Sequence, residues 1–340
     1  MPANLTPEYR AAESAFRKGR EPKERLERLR EMLRVIPKHK GTDHLQADIK
    51  RRIKELSEEL EAPRKGAARG GPALIVRPEG AAQIALIGPP NSGKSSLHAR
   101  LTASGAHAAP YPFTTQFPQA GMMPHEDIAF QLVDLPAVSP EHPVPWLASA
   151  LQTADACLLV ADLGAADCLE TIEAVHAVLR ARRVQLTSHW GASQQSAESG
   201  PEDDDPFALR LAALLLANKS ERLSDPQAEL RTFLELEGLD YPALAVSAAS
   251  GYGLGEIGPW LFSHLGILRV YTKSPGKAAE RSRPFTLRQG QTVEDVARLV
   301  HRDLAHSIKY ARLWGKSGFD GQHVGREHAL ADGDLIELHA

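Results

Sequence analysis

The chain has few cysteines, few aromatic residues and no long apolar run. Cys157 and Cys168 are too few for a disulfide framework or a zinc site. No apolar run approaches the ~18 residues needed to span a bilayer, and the polar N-terminus lacks a signal-peptide core. The formal net charge of -3 does not indicate nucleic-acid binding by the whole chain, although a local patch could still bind. We therefore expect a cytoplasmic protein with no membrane partner.

The hydrophobic content of 42% over 340 residues is enough for a substantial core and for two or three domains. Four segments follow from the sequence pattern. Residues 1–62 are charged and helical, and residues 63–80 form a linker rich in Gly, Pro and positive charge. Residues 81–268 alternate strands and helices, and residues 269–340 combine short strands with one helix in a small α+β unit.

The first segment carries two apolar stripes at helical spacing. Thr6-Pro7 resembles a helix cap followed by proline in the first turn. The stripes from Leu26 to Ile36 and from Leu45 to Leu60 lie on either side of Pro37, which predicts an antiparallel helical hairpin. Its many basic residues form either a solvated surface with i,i+4 ion pairs or a lever that touches RNA or ribosome phosphates. The interspersed acids favour the solvated surface.

Residues 88–95, Gly-Pro-Pro-Asn-Ser-Gly-Lys-Ser, carry the strongest motif of the chain. They fit G-x-x-x-x-G-K-[ST], the phosphate-cradling loop of nucleoside triphosphatases, and they lie between a predicted strand and a predicted helix as the motif requires. Backbone amides there offer partial positive charge to phosphates. Lys94 would neutralise the outer phosphates, and Ser95 would place its hydroxyl on Mg²⁺. The residues expected to contact the nucleotide here are Asn91, Ser92, Gly93, Lys94, Ser95 and Ser96.

Short apolar runs in the third segment predict a mostly parallel α/β sheet with helices on both faces. Helices are predicted between them, for example at Thr171–Arg182 and Pro226–Glu237, and the polar segment from Thr187 to Pro206 predicts a long surface loop. The predicted strands are Ile84–Ile87, Ile128–Val133, Ala156–Ala161, Leu211–Ala217 and Ala243–Val246.

Two short motifs after predicted strands indicate guanine as the base. Asn218-Lys219-Ser220-Glu221 resembles the Asn-Lys-x-Asp motif of GTPases, whose carboxylate accepts two hydrogen bonds from the N1 and N2 edge of guanine. Adenine lacks that donor pair, so the acid would be left unpaired. Glu221 has the right charge on a longer side chain, which predicts weaker guanine affinity or selectivity. Ser247 and Ala248 resemble the Ser-Ala element that closes over the base with backbone amides.

Two further segments resemble the switch regions of the Obg-like GTPases. Residues 111–115, Tyr-Pro-Phe-Thr-Thr, match switch I, in which a threonine hydroxyl completes Mg²⁺ coordination. We favour Thr115 for this role, with Thr114 as the alternative. Asp134 occupies the first position of an Asp-x-x-Gly-like element and would hold Mg²⁺ through water. Because Mg²⁺ keeps several waters, Ser95, Thr115 and Asp134 suffice as protein ligands.

Switch II departs from the family pattern at two positions. Ala137 replaces a glycine, keeping the amide for the γ-phosphate but losing backbone freedom. Val138 stands where a water-orienting Gln would follow in the Ras manner. The chain resembles the hydrophobically substituted GTPases, which implies slow intrinsic hydrolysis. The candidate catalytic residues are Lys94, Thr115 and Asn91; Asn91 either helps to bind K⁺ beside the phosphates, as in relatives with Asn here, or only stabilises the loop.

The resemblance extends over nearly the whole chain. Residues 38–44, Lys-His-Lys-Gly-Thr-Asp-His, look like the start of the developmentally regulated branch of the Obg superfamily. Residues 270–273, 287–296 and 309–315 strongly resemble its TGS domain, and residues 324–330 fit the final turn of that domain. The resemblance implies a P-loop GTPase domain with a C-terminal TGS domain of ubiquitin-like β-grasp fold. It also implies binding of GTP and GDP with Mg²⁺, and a link to ribosomes or RNA through the hairpin or the TGS domain.

Three functions of different classes fit these residues. The leading hypothesis is a GTPase that hydrolyses GTP slowly and reports its nucleotide state to a ribosomal or RNA partner. Glu221, Ala137 and the altered switch II motivate a second hypothesis, a nucleotide-binding scaffold with little or no hydrolysis. The third is an ATPase, against which Asn218, Lys219 and Glu221 argue.

Overall fold

The computed structural model describes most of the chain. The predicted switch I residues Thr114 and Thr115 lie outside the described residues, as do most of the predicted linker and most of the polar segment 187–206. None of the described helices combines the length and hydropathy of a membrane span. The described ranges are 6–19, 22–37, 42–61, 75–102, 117–191, 205, 207–274 and 283–339.

The first segment contains three helices, one more than the predicted hairpin. They are α1 (Pro7–Lys18), α2 (Pro22–Val35) and α3 (Asp43–Glu61). The predicted cap begins α1, where the Thr6 hydroxyl oxygen accepts a hydrogen bond from the Tyr9 amide at 3.2 Å. The two predicted apolar stripes lie on α2 and α3, which pack against each other, and α1 packs against α2. α2 and α3 thus correspond to the predicted hairpin, and α1 is an additional helix that packs against it.

Phe207, which precedes a strand of the central domain, completes the core of the three helices. Its ring meets Phe16 edge-on with centroids 5.9 Å apart, and the guanidinium carbon of Arg52 lies 4.3 Å from its centroid. Phe207 thus connects the helical unit to the central sheet. The buried apolar residues of this core are Tyr9, Ala12, Phe16, Leu29, Met32, Ile36, Ile49 and Phe207.

The central domain is built on seven strands. Their order is β2-β3-β1-β4-β6, and β5 and β7 both pair with β6. All pairings are parallel except the antiparallel hairpin of β2 and β3. All five predicted strands are present, and the sequence did not predict β2 and β5. The strands are β1 (Gln83–Ile87), β2 (Gln119–His125), β3 (Ile128–Asp134), β4 (Ala156–Asp162), β5 (Val184–Thr187), β6 (Leu209–Asn218) and β7 (Ala243–Ala245).

Helices cover both faces of this sheet, as predicted. Successive strand residues point to opposite faces, so Ala85 and Ile87 join one core, while Ile84 and Leu86 join the other. Apolar residues from α5, α6 and α7 fill the first core, and those from α4 and α8 fill the second. The helices are α4 (Lys94–Thr102), α5 (Leu147–Leu151), α6 (Cys168–Ala181), α7 (Pro226–Glu237) and α8 (Leu254–His264).

The last part of the chain forms a second sheet with a β-grasp arrangement. Its order is β11-β10-β12-β8-β9, with β8 and β12 parallel and the other pairings antiparallel. The predicted capping box is present, because the Thr292 amide donates to the Asp295 carboxylate at 2.9 Å. The elements are β8 (Ile267–Lys273), β9 (Phe285–Arg288), α9 (Val293–Val300), α10 (Arg302–Ser307), β10 (Tyr310–Trp314), β11 (Gln322–Val324) and β12 (Leu335–His339).

Arg269 at the start of the second sheet joins the two sheets. Its guanidinium forms ion pairs with Glu126 and Asp127 in the β2–β3 turn and with Asp332 on its own side. The Arg269 guanidinium carbon also lies 4.7 Å from the ring centroid of Phe262 in α8. A second contact joins Arg288 to Asp155, at 2.7 Å, beside the start of β4. The tip of the β2–β3 hairpin is therefore held by the last domain.

Candidate functional site

Residues 88–93 form the turn between β1 and α4, and two glycines there permit close backbone approaches. Gly88 has φ +151° and Gly93 has φ +91°. A Cβ at Gly88 would lie 2.3 Å from the carbonyl oxygen of Val160, and one at Gly93 would lie 2.2 Å from Nδ2 of Asn218. Asn91 has φ 60°, in the left-handed region that Asn tolerates best after Gly. The loop conformation thus depends on these residue types.

Lys94 is buried, and its ammonium donates to the Pro89 carbonyl at 2.9 Å. Burial lowers the pKa of Lys94 to about 8, because the ammonium loses water, while Asp134 acts in the opposite direction. The Ser92 hydroxyl donates to the same carbonyl at 3.0 Å. The Lys94 ammonium is therefore fixed beside the loop and largely removed from water. Phosphate oxygens bound there would replace the lost water as hydrogen-bond acceptors.

Ser95 and Asp134 meet at the carboxyl ends of β1 and β3. The Ser95 hydroxyl donates to Oδ2 of Asp134 at 2.5 Å, and Asp134 is fully buried. The sequence predicted both residues as Mg²⁺ ligands, and the structure brings them together. A hydroxyl and a carboxylate are the hard oxygen donors that Mg²⁺ prefers, so these two residues fit that ion.

Asn218 connects three segments of the site. Its Nδ2 donates to the Ser92 carbonyl at 2.9 Å, and its Oδ1 accepts from the Ala248 amide at 3.1 Å. Only 1% of Asn218 is exposed, so replacing it would leave the buried Ser92 carbonyl and the partly buried Ala248 amide without this partner. Asn218 thus fixes the distance between the phosphate loop and the turn after β7.

Lys219 lies beside Asn218 with φ 61°. Its ammonium donates to the Asn91 carbonyl at 2.7 Å and to Oδ2 of Asp162 at 2.7 Å. The sequence did not predict a role for Asp162. The available signal was an acid at the end of a buried strand, because the carboxyl edge of a parallel sheet is where ligands bind.

The remaining predicted base-binding residues lie at the same edge. Glu221 is exposed in a short 3-10 turn, Ser220–Arg222. Ser247 is buried: its amide donates to the Tyr252 carbonyl at 2.9 Å, and its hydroxyl accepts from the Ser250 amide at 2.9 Å. Ser247 therefore shapes the turn that positions Ala248. Ser96 lies in the first turn of α4.

The segment after Asp134 runs against the phosphate loop. The Val138 amide donates to the Gly88 carbonyl at 3.0 Å, and the Leu135 amide donates to Leu86 at 3.3 Å. Ala137 and Val138 are buried, and Val138 belongs to the first core of the central sheet. Its side chain therefore packs in the protein interior.

A parallel sheet with a phosphate loop at its carboxyl edge and Asn218-Lys219 beside it defines a P-loop GTP-binding domain. Comparisons with known proteins agree. The family described as 50S ribosome-binding GTPase matches residues 83–188, and the TGS domain family matches residues 268–340.

Named relatives match along nearly the whole chain. An uncharacterised GTP-binding protein of Methanocaldococcus jannaschii is 25% identical over 93% of this chain and 92% of its own length. Developmentally-regulated G-protein 2 of Arabidopsis thaliana is 26% identical over 93% of this chain and 90% of its own length. A GTP-binding protein from Pyrococcus horikoshii OT3 superposes with a TM-score of 0.48 at 17% identity, covering 76% of this chain and 99% of that one.

The chain therefore contains a GTPase domain and a C-terminal TGS domain, and over 93% of its length it is similar to developmentally regulated GTP-binding proteins. It is a GTP-binding protein and a GTPase.

Proposed function

We propose that the chain hydrolyses GTP slowly with Mg²⁺ and that its nucleotide state is linked to the ribosome or to RNA. The position of Val138 supports the expectation that hydrolysis is slow. Its side chain packs in the core and its amide donates to Gly88, so no side chain at this position can orient water.

In this proposal the phosphate loop binds the phosphates. Its amides and the N-terminus of α4 face the negative charge, while Lys94 neutralises the outer phosphates. Ser95, Thr115 and Asp134 would hold Mg²⁺, which supplies charge neutralisation for the phosphate oxygens when it is bound. The loop residues assigned to phosphate contacts are Asn91, Ser92, Gly93, Lys94, Ser95 and Ser96.

We assign the base to the corner formed by β6 and the turn after β7. Asn218 supports this assignment because it connects that turn to the phosphate loop. Glu221 would read the guanine edge, with Lys219, Ser247 and Ala248 around the ring. Competition of GTP and ATP against labelled GDP tests the base: GTP should compete strongly and ATP weakly. Equal competition would contradict the guanine assignment.

We assign Asn91 a role in K⁺-assisted hydrolysis. Its side chain is exposed on the phosphate loop, beside the position where the outer phosphates would lie. Single-turnover hydrolysis in K⁺ should exceed that in Na⁺, and Asn91→Ala should remove the difference while retaining GDP binding. Equal rates in the two salts would reject this role and leave Asn91 as a loop-stabilising residue.

The second candidate function is a nucleotide-binding scaffold. The observation that favours it is that the Ser247 and Ala248 amides already donate within the protein, while Glu221 is exposed. Lys94→Ala gives the background rate for the hydrolysis assay. A wild-type rate above this background supports the GTPase, and a rate equal to it, with GDP still bound, supports the scaffold.

The link to the ribosome is supported by the description of the family that matches residues 83–188. Co-sedimentation with ribosomes should be stronger in one nucleotide state than in the other. The absence of co-sedimentation in both the GDP and the GTP-analogue state would contradict it.

A further inference from the structure

A buried serine hydroxyl lies in the predicted switch II segment that follows Asp134. Ser139 is 7% exposed, and its Oγ forms no hydrogen bond of ordinary geometry with any of the described residues. A buried hydroxyl left in this way costs free energy, and an ordered water or a ligand is one way in which proteins satisfy such a group. Ser139 therefore marks a position where this segment can hold a small polar molecule.

The backbone just before Ser139 is fixed against the phosphate loop. The Val138 amide donates to the carbonyl of Gly88, the first residue of that loop, at 3.0 Å. The next carbonyl of the loop, that of Pro89, accepts from the ammonium of Lys94, the residue assigned to the outer phosphates. Ser139 is one residue beyond the Val138 contact, so it lies beside the part of the loop that would carry the reacting end of the nucleotide.

Ser139 also carries the first polar side chain after Asp134. The four residues between them are apolar, and the side chain of Val138 packs in the first core of the central sheet. Pro140 follows and restricts the backbone of Ser139 to extended conformations. Residues 135–139 therefore offer an attacking water one polar side chain, and its backbone position is well defined.

Glu141 gives the Ser139 hydroxyl a direction. The hydroxyl favours the ionised form of the Glu141 carboxyl and so lowers its pKa, and the Glu141 amide acts in the same direction. A serine hydroxyl has one donor and two acceptor lone pairs. When its proton points to the carboxylate, the lone pairs of Oγ remain available to accept a hydrogen bond from water.

We propose that Ser139 accepts a hydrogen bond from the water that attacks the γ-phosphate, and that Glu141 orients the Ser139 hydroxyl for this contact. The proposal rests on the proposed GTPase function and names the groups that replace the glutamine absent at Val138. The water oxygen forms a bond to the γ-phosphorus, the bond from that phosphorus to the bridging oxygen breaks, and GDP leaves with the electron pair. One water proton passes to a phosphate oxygen, while Ser139 holds the other and transfers none. Ser139 is thus a catalytic residue and Glu141 a positioning residue.

Single-turnover hydrolysis of GTP by the full-length protein, with Mg²⁺ and K⁺ present, tests the proposal. Ser139→Ala should slow hydrolysis roughly tenfold, the effect expected for one hydrogen bond to the attacking water, and should leave the affinity for GDP unchanged. Ser139→Cys provides a second variant of similar size and should also be slow, because a thiol is a weak acceptor. Ser263→Ala is the matched control, since Ser263 is exposed on α8, and it should hydrolyse GTP like the wild type.

A double-mutant cycle separates positioning from a general structural effect. Glu141→Ala should slow hydrolysis roughly threefold, because the hydroxyl stays but loses its orientation. In the Ser139→Ala background the same change should have no further effect, since Glu141 acts through the hydroxyl. Glu235→Ala removes an exposed acid of α7 and should leave both backgrounds unchanged. Losses that multiply in the double variant would overturn the role of Glu141.

The outcome for Ser139 is distinguishable from the outcome for the GTPase itself. A wild-type rate above the Lys94→Ala background, together with Ser139→Ala and Ser139→Cys rates equal to the wild type, overturns the role of Ser139 and retains the GTPase. A wild-type rate equal to that background overturns both proposals. Thermal melting and binding of a fluorescent GDP analogue identify any variant whose rate falls because it fails to fold.

Discussion

Lys219 and Asp162 form an ion pair of 2.7 Å where the carboxyl ends of β6 and β4 meet. The same ammonium donates to the Asn91 carbonyl at 2.7 Å. An acid at the end of one strand therefore orients a lysine on the next strand, and that lysine fixes the phosphate loop. Asp162 acts through Lys219, so it is a positioning residue.

Replacing Asp162 with Asn should weaken GDP binding about tenfold, because Lys219 loses a charged acceptor in a half-buried environment. Titration calorimetry measures the affinity. Asp167→Asn is the matched control, since Asp167 is exposed and its side chain forms no capping hydrogen bond with α6. Similar affinities for the two variants would contradict the positioning role.

Replacing Gly93 with Ala should abolish nucleotide binding. The new Cβ would lie 2.2 Å from Nδ2 of Asn218, and φ +91° is strained for any residue with a side chain. We also expect a loss of more than about 2 kcal/mol in the free energy of unfolding. Gly255→Ala controls for the chemical change, because nothing lies within 4 Å of its Cβ position. Binding of a fluorescent GDP analogue and urea unfolding test both expectations.

The stability of the protein should fall in mild acid, partly because of His176. Burial lowers the pKa of His176, and Arg180 lowers it further, while the bond to the Ile172 carbonyl opposes the shift. The unfolded chain therefore binds more protons just below the ordinary histidine pKa, so the free energy of unfolding decreases as the pH falls through about 6.5. The ring of His176 also contacts the hydroxyl of Tyr241 at 3.2 Å.

Urea unfolding at about pH 5.5 and about pH 7.5 measures this dependence. His176→Gln should reduce the difference between the two values. It should not abolish it, because burial also lowers the pKa of His98. His306→Gln is the exposed control and should retain the wild-type difference. A His176→Gln variant with an unchanged difference would contradict the assignment.

Removing the guanidinium of Arg269 should loosen the attachment of the TGS domain. Arg269→Ala leaves Glu126 and Asp127 without their shared partner and removes the contact with Phe262. We expect a loss of about 2 kcal/mol and a separate, earlier calorimetric transition for the last domain. Arg298→Ala removes only exposed pairs within one helix and should shift the melting temperature little. A single unshifted transition for Arg269→Ala would contradict this view.

Local sequence patterns predicted β1, β4 and β6 because each contains a continuous apolar run that is buried on both faces. The pattern missed β2, in which exposed and buried residues do not alternate regularly. This strand lies at the edge of the sheet and pairs only with β3. The stripes from Leu26 to Leu60 predicted α2 and α3, whereas the signals for α1, the Thr6 cap and the apolar residues Tyr9, Ala12 and Phe16, were not read as a third helix.

The motif residues Asn91, Lys94 and Asn218 were predictable because each belongs to a short motif that is local in the sequence. Asp162 and Arg269 were not, since their partners are distant in sequence and depend on which strands are neighbours. Roles that depend on nucleotide contact, such as those of Thr115 and Glu221, stay predictions.

The β2–β3 hairpin lies between the two switch segments in sequence, and its turn is clamped by Arg269 and Tyr271 of the TGS sheet. The hairpin cannot slide along its own axis without either breaking this clamp or displacing the last domain with it. If the predicted switch segments move together with the hairpin, the free energy needed to break this clamp would oppose that movement. A partner that binds the far side of the TGS sheet would then restrain or shift the nucleotide site through the β2–β3 hairpin.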